Sequence, residues 1–278
     1  MPELPEVETI KNQLKAKIKS KTIKKIEVKL SKIVKDTSVV FFKKKVIGSK
    51  IKNIERRAKL LIIHLNNGYS LVVHLKLSGQ LIYYPKLEQK KEKYTHLIYY
   101  FSDNSCLCYN DLRQFGYVKL IKTIDLEKFF QQKDLGPEPL AKNFTFKKFK
   151  ELLSKRPNSK IKPLLMNQSF IAGIGNIYAQ EACWGAQILP FRLVKSLKGK
   201  ETEKLYHYLI KILKLAIKNK GTTAADAHYV DVQGRAGNYK SKLKVYQRQN
   251  KRCFRCQQKI KRIKLGGRGT CYCPGCQK

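Results

Sequence analysis

The sequence predicts an α+β fold in which a strand-rich N-terminal part gives way to a helical C-terminal part. Three observations carry this. Between 23 and 121, short β-prone runs alternate with turn signals and no helical period intervenes. At Leu135-Gly136-Pro137-Glu138-Pro139 that pattern breaks. Beyond it, apolar residues recur at helical spacing in four segments.

The first element is a helix. Val7, Ile10, Leu14 and Ile18 share one helical face, and Pro5 suits a first turn, where its missing N–H is no loss. Strands at 60–65 and 70–75 flank Asn66-Asn67-Gly68, a hairpin signal. Runs at 97–101 and 106–109 flank Ser102-Asp103-Asn104-Ser105, and 115–121 supplies one more strand. Short strands at this spacing, without helices between them, indicate a β-sandwich or barrel. Helices are expected at 144–153, 161–167, 174–184 and 201–217. Gly221, Gly234, Gly237 and Asn238 then mark a loop-rich segment, and a small cysteine-bearing unit ends the chain. The expected division is a β-sandwich domain at 1–134, a linker at 135–141, a helical domain at 142–242 and a ribbon at 243–278.

The 278 residues leave room for two domains, and 42% hydrophobic residues suffice for real cores. Lys and Arg number 59 against 20 Asp and Glu, a net charge of +39. Such an excess points to a polyanionic partner, nucleic acid first, although lysines such as Lys43, Lys44 and Lys45 also read as solvated surface. No apolar run approaches the roughly 18 residues that span a bilayer, and no signal-peptide core is present. A cytoplasmic protein without a membrane span is expected.

Cys253-x-x-Cys256, sixteen intervening residues and Cys273-x-x-Cys276 have the spacing of a four-cysteine ribbon. Two knuckles of paired thiolates complete a tetrahedron with no open position, so one structural Zn2+ is expected. Cys271 fits a knuckle poorly, Cys106 and Cys108 read as strand packing, and Cys183 as helix core. Between the knuckles, Lys259, Lys261, Arg262, Lys264 and Arg268 lie among Gly266, Gly267 and Gly269, a basic tip able to approach DNA.

Chemistry is concentrated at the N-terminus, which reads Met1-Pro2-Glu3-Leu4-Pro5-Glu6-Val7-Glu8-Thr9. Once Met1 is removed, Pro2 presents a secondary amine, which forms with an aldehyde-level carbon an iminium that is cationic without a proton. Glu3 and Glu6 add carboxyls close by. Read alone, the same residues are a proline-led helix start with acidic residues complementing the dipole. Gly173-Ile174-Gly175-Asn176-Ile177-Tyr178 precedes a helix, where glycines let a phosphate approach the first N–H groups. An interhelical turn would use the same residues.

Together these segments resemble the bacterial formamidopyrimidine-DNA glycosylases, which excise oxidised purines such as 8-oxoguanine. The resemblance covers nearly the whole chain. It rests on the N-terminal nonapeptide, Arg56-Arg57-Ala58-Lys59, His74-Leu75-Lys76-Leu77-Ser78-Gly79, and Asp111-Leu112-Arg113-Gln114-Phe115-Gly116. It continues through Leu135-Gly136-Pro137-Glu138-Pro139-Leu140, the Gly173–Tyr178 turn, Gly221-Thr222-Thr223, the four cysteines and Arg268-Gly269-Thr270. It implies a helix-two-turns-helix in the helical domain and monomeric action on double-stranded DNA containing oxidised purines.

The resemblance also implies roles. Pro2 attacks C1′ of the damaged nucleotide, and the iminium acidifies the neighbouring carbon for β- and δ-elimination. Glu3 moves protons to and from the sugar ring oxygen, and Glu6 orients the terminus. Lys59 matches the active-site lysine, and Arg268 the zinc-finger arginine that grips phosphate. Because the lesion must leave the stack, Leu77, Arg113 and Phe115 match the fillers of the vacated space. Arg113 pairs with the orphaned cytosine, and Phe115 wedges between bases. Read alone, Phe115 is a core residue and Arg113 a surface charge. His74, Lys162 and Asn176 match backbone-phosphate contacts.

Three positions depart from the family pattern. Leu77 stands where methionine is usual, Asn167 where aspartate is common, and Ala225 where relatives often carry a basic residue. The last leaves lesion contacts within 221–240 unassigned. A sister glycosylase for oxidised pyrimidines shares the proline, glycine turn and zinc, but Leu4-Pro5-Glu6 and the Arg113–Phe115 pair favour the purine enzyme. A non-catalytic zinc-ribbon nucleic-acid-binding protein would keep charge and cysteines but has no use for Pro2 and two carboxyls.

Overall fold

The structure, a computed structural model, describes residues 1–86, 93–223 and 229–278. It divides into two compact units, Met1–Lys133 with Ile217–Lys240, and Asp134–Ala216 with Ser241–Lys278.

The first unit opens with α1 (Leu4–Ile18), followed by β1 (Ile23–Val28), β2 (Val34–Lys35) and α2 (Val39–Val46). The strands β3 (Ile51–Arg57), β4 (Leu60–Leu65), β5 (Tyr69–His74) and β6 (Gly79–Tyr84) come next. Then follow β7 (Thr95–Phe101), β8 (Cys106–Asp111), β9 (Tyr117–Lys122) and α3 (Leu126–Gln132). The strands form two sheets, ordered β1-β7-β8-β6 and β2-β9-β5-β4-β3. Every pairing in them is antiparallel except β2 with β9. The sandwich-or-barrel alternative thus resolves as two sheets. They share one core: Leu97, Tyr99, Leu107 and Tyr109 from one, Ile54, Leu61, Ile63, Leu71 and Val73 from the other, with Val7, Ile10, Leu14 and Ile18 of α1. Each fully buried aliphatic side chain contributes about 1.5–3 kcal/mol. The run at 60–63 is apolar without alternation because β4 is covered on both faces. Leu60 and Ile62 pack with Val72 and with Leu126, Phe129 and Phe130 of α3. Cys106 and Cys108 pack with Ile98 on the other sheet.

The expected assignment of 217–240 to a helical domain is corrected. Tyr229 and Val232 belong to the sandwich core, and the Tyr83 N–H donates to the Val232 carbonyl at 2.8 Å. Gln13 of α1 donates to Asp231 at 3.0 Å and accepts from the Val232 N–H at 3.1 Å. Buried long-range contacts outrank chain proximity here.

The second unit contains α4 (Phe146–Ser154), α5 (Ile161–Met166), α6 (Asn176–Ala186) and most of α7 (Gly199–Lys218). It ends in the hairpin β10 (Lys261–Leu265) and β11 (Arg268–Tyr272). The turn between α5 and α6 is built by side chains. Asn167 accepts the Ser169 N–H at 2.9 Å, the local bond that favours Asn or Asp at turns. Gln168 accepts the Gly173 N–H at 2.9 Å and donates to the Ile174 carbonyl at 2.8 Å.

Two further boundaries move. The ribbon at 243–278 belongs to the helical unit, because Glu181 of α6 accepts the N–H groups of Lys244, Val245 and Tyr246, each at 2.9 Å. Segment 135–141 is packed rather than a free linker. Gly136 donates to the Gln168 carbonyl at 2.8 Å, and a Cβ there would meet Phe170 backbone at 2.7 Å. Among the described residues no helix is long and apolar enough to cross a membrane.

Candidate active site and nucleic-acid grip

Pro2 is buried beside Glu3, which is 3% exposed, at the start of α1. Glu6, one turn on, uses both carboxylate oxygens. Oε2 accepts the Glu3 N–H at 2.8 Å, and Oε1 accepts the Thr222 N–H at 2.8 Å. Gly221 makes this approach feasible. Its φ is +76°, and a Cβ would lie 2.8 Å from Glu6 Oε1. The Gly221 carbonyl in turn accepts the Tyr239 N–H at 3.0 Å. One carboxylate therefore fixes the residue after Pro2 and the base of segment 217–240 together.

Lys59, 6% exposed, occupies the two-residue connection between β3 and β4, after Ala58 at φ 54°. Arg56 links this turn to α1, donating to Glu8 at 2.7 Å and to the Ala58 carbonyl at 2.9 Å. Burial pushes the Glu8 carboxyl up, and the Lys11 and Arg56 hydrogen bonds outweigh it, so its pKa is lowered and the anion persists.

His74 ends β5, paired in register with Leu60 next to Lys59. Its Nδ1 accepts the Lys76 N–H at 2.9 Å, so the neutral ring carries its proton on Nε2 and can donate to a phosphate. Burial, then the charges of Lys76, Lys59 and Lys133, lower its pKa to about 3.

Leu77 is half-buried, while Arg113 and Phe115 are exposed, Phe115 at 55%. The isolated reading of Phe115 as core is corrected, as is the strand start at 115, since β9 begins at Tyr117. The Arg113 guanidinium lies 5.0 Å from the Phe115 ring centroid, a cation–π pair.

In the second unit, Gly175 is the N-cap of α6 and brings no side chain over its first turn, while Gly173 takes φ +87°. Asn176 opens the helix and donates to the Gly269 carbonyl at 3.3 Å. Gln180 repeats that bond at 3.3 Å and accepts the Cys271 N–H at 2.6 Å, clamping β11 on α6. Arg268 is exposed beside the clamp, at the end of a two-glycine turn with φ +57° and +71° at Gly266 and Gly267. Lys162 departs from expectation. It is 0% exposed, and its charge acts on the buried Cys183, whose thiol burial pushes up to about 12. In this arrangement it offers no surface to an external phosphate.

The four cysteines fit zinc. Their sulfurs lie within 4.8 Å of one another, Cys253 to Cys276 at 3.7 Å and Cys256 to Cys273 at 3.2 Å. Zn–S bonds of about 2.3 Å set tetrahedral edges of about 3.8 Å. The Trp184 indole N–H and the Arg255 N–H each point at the Cys253 sulfur at 3.4 Å, the outer bonds that steady a thiolate. With all four positions taken by sulfur, the metal's contribution is structural.

Sequence reasoning assigns no role to Gln180, Glu181, Ser78 or Asp111, although polar residues on the apolar helix at 174–184 signal buried anchors. Ala225 lies outside the described residues.

Comparison with known proteins agrees with this geometry. Residues 1–118 match the formamidopyrimidine-DNA glycosylase N-terminal domain, and 135–227 the H2TH domain of the same family. The formamidopyrimidine-DNA glycosylase of Pelotomaculum thermopropionicum is 43% identical over 278 residues, covering 100% of this chain and 99% of that one. Lactococcus lactis Fpg bound to abasic-site DNA superposes with a TM-score of 0.91 at 36% identity, covering 99% of both chains. The same enzyme bound to DNA containing Fapy-dG gives 0.90 at 36% identity, covering 99% of this chain and 100% of that one. The chain belongs to the formamidopyrimidine-DNA glycosylase family.

Proposed function

We propose that this chain is a bifunctional base-excision-repair enzyme, a DNA glycosylase and AP lyase that removes oxidised purines from double-stranded DNA through the Pro2 amine. The observation that carries this is Glu6 holding the residue next to Pro2 with a buried carboxylate. A helix start alone does not need a second oxygen committed to Thr222.

The Pro2 nitrogen lone pair forms the bond to C1′ as the glycosidic bond breaks and the base departs with its electron pair. The N–H proton that the amine then sheds goes to the departing base, which restores the nitrogen lone pair. Glu3 gives a proton to the ring oxygen, which opens the sugar and leaves an iminium. The cation acidifies C2′, so proton loss there expels the 3′ phosphate, and a second elimination expels the 5′ phosphate. Lys59, charged and held by the β3–β4 turn, stabilises developing negative charge. His74, Asn176 and Arg268 hold phosphates, and Leu77, Arg113 and Phe115 fill the duplex. A four-cysteine metal ribbon suits the reducing cytoplasm.

The test is excision of 8-oxoguanine opposite cytosine beside thymine glycol in matched duplexes. The oxidised purine is expected to be removed faster. Faster removal of thymine glycol would assign the chain to oxidised pyrimidines.

A further inference from the structure

The filler residues sit on two turns, and both turns are tied to one side chain at the end of β8, Asp111. Asp111 is 0% exposed. Its Oδ1 accepts the Ser78 hydroxyl at 2.5 Å and the Arg113 N–H at 3.3 Å, and its Oδ2 accepts the Gly116 N–H at 2.7 Å. The Ser78 oxygen also accepts the Arg113 N–H at 3.0 Å. The Asp111 carbonyl accepts the Gln114 N–H at 3.2 Å and the His96 Nε2–H at 2.9 Å. Two residues earlier, the Tyr109 hydroxyl donates to the His74 carbonyl at 3.1 Å. Glycine is required on both sides of this pedestal. A Cβ on Gly79 would lie 2.8 Å from the Tyr109 hydroxyl oxygen, and one on Gly116 would lie 1.8 Å from it.

We propose that Asp111 and Ser78 are positioning residues that join the Leu77 turn to the Arg113–Phe115 turn, so the three fillers enter DNA as one preorganised wedge. This rests on the reading of Leu77, Arg113 and Phe115 as fillers. The chemistry favours coupling over local turn-making. Ser78 follows Leu77 directly, and its hydroxyl is both donor to Asp111 and acceptor from Arg113, so neither turn can shift without breaking a bond to Asp111 or to the other turn. A carboxylate with no accessible surface depends on those donors for its hydrogen bonds, and displacing either turn leaves a buried acceptor unpaired. Ordering the turns before binding removes that cost from the encounter with DNA. Arg113 is the member with directional hydrogen bonds to make, so displacement of the wedge falls first on recognition of the opposite base.

The experiment is a double-mutant cycle on the full-length protein. Ser78→Ala and Asp111→Asn are made alone and with Arg113→Ala. Single-turnover excision of 8-oxoguanine is measured opposite cytosine and opposite adenine, beside cleavage of an abasic site in single-stranded DNA, which has no stack to wedge. Each single substitution is expected to lower the cytosine preference about tenfold, the size of one buried charge-assisted hydrogen bond. Single-strand cleavage should stay within about twofold, and in the Arg113→Ala background the same substitutions should change preference by less than about twofold. Additive effects, or equal loss on single-stranded DNA, would overturn the proposal in favour of a general folding role. Should Asp111→Asn fail to fold, Ser78→Ala decides alone, since it removes one hydroxyl. If Arg113→Ala leaves the cytosine preference intact, the filler reading fails instead, a separable result.

Discussion

Replacing Glu6 by Gln changes almost no volume but halves the acceptors available to two buried N–H groups. In the native protein each carboxylate oxygen takes one of them, Glu3 and Thr222, at 2.8 Å apiece. A Gln side chain offers one carbonyl oxygen and turns an NH2 group toward the other donor. One charge-assisted bond is lost and one buried donor is orphaned, a penalty of about 2–3 kcal/mol. The amide orientation decides where it falls. If the oxygen keeps Thr222, the Glu3 N–H beside Pro2 is released, and the borohydride-trapped adduct with abasic DNA should form about ten- to a hundredfold more slowly. If it keeps Glu3, the penalty falls on segment 217–240 and shows as a lower urea midpoint. The two readouts together should account for the penalty. A Glu6→Gln protein with native midpoint and native trapping rate would refute the reasoning that this carboxylate holds both segments.

Gly221→Ala should do similar damage by another route. A left-handed φ costs about 1–2 kcal/mol for a residue with Cβ, and the methyl group meets Glu6; native stability and trapping would contradict the close approach. His74 gives a pH signature. Its folded pKa of about 3 lies below the ordinary value of about 6.5, so the unfolded chain binds the extra proton. Its stability contribution is complete above about 6.5 and is lost as pH falls toward 3. His74→Gln should flatten the acid side of the urea-midpoint profile, and an unchanged profile would exclude the burial argument. Zinc chelation should unfold the ribbon, whose small core consists of Val245, Ile260 and the cysteines Cys253, Cys271, Cys273 and Cys276. DNA binding through Arg268 should disappear while the sandwich melts as before; a single joint transition would contradict two separately cored units.

Local patterns are legible in the sequence, and long-range partners are not. The stripe Val7, Ile10, Leu14 and Ile18 announces α1 because one periodicity decides which face is buried. Asn66-Asn67-Gly68 announces the β4–β5 hairpin because Gly68 takes φ +81°. The zinc cysteines are legible because ligand spacing is itself local. By contrast, α2 and α3 are short and escape a reading by periodicity. Segment 217–240 is misassigned from sequence because Tyr229 and Val232 meet partners at the far end of the chain, beyond any local window. Phe115 and Lys162 exchange their ordinary environments, an exposed aromatic and a buried ammonium. Composition cannot reveal such inversions, and for Phe115 only the resemblance signals one. Asp111 stands within a family motif, but its role depends on Ser78, which lies on another turn.

In the proposed mechanism the Pro2 nitrogen becomes bonded to C1′ of the damaged nucleotide. Mass spectrometry of the protein trapped by borohydride on 8-oxoguanine DNA tests it most directly. The expected product is a chain lacking Met1 with the sugar remnant on the Pro2 nitrogen, and Pro2→Gly should lose that adduct. A remnant on a lysine, or strand cleavage at native rate by a chain that retains Met1, would contradict it.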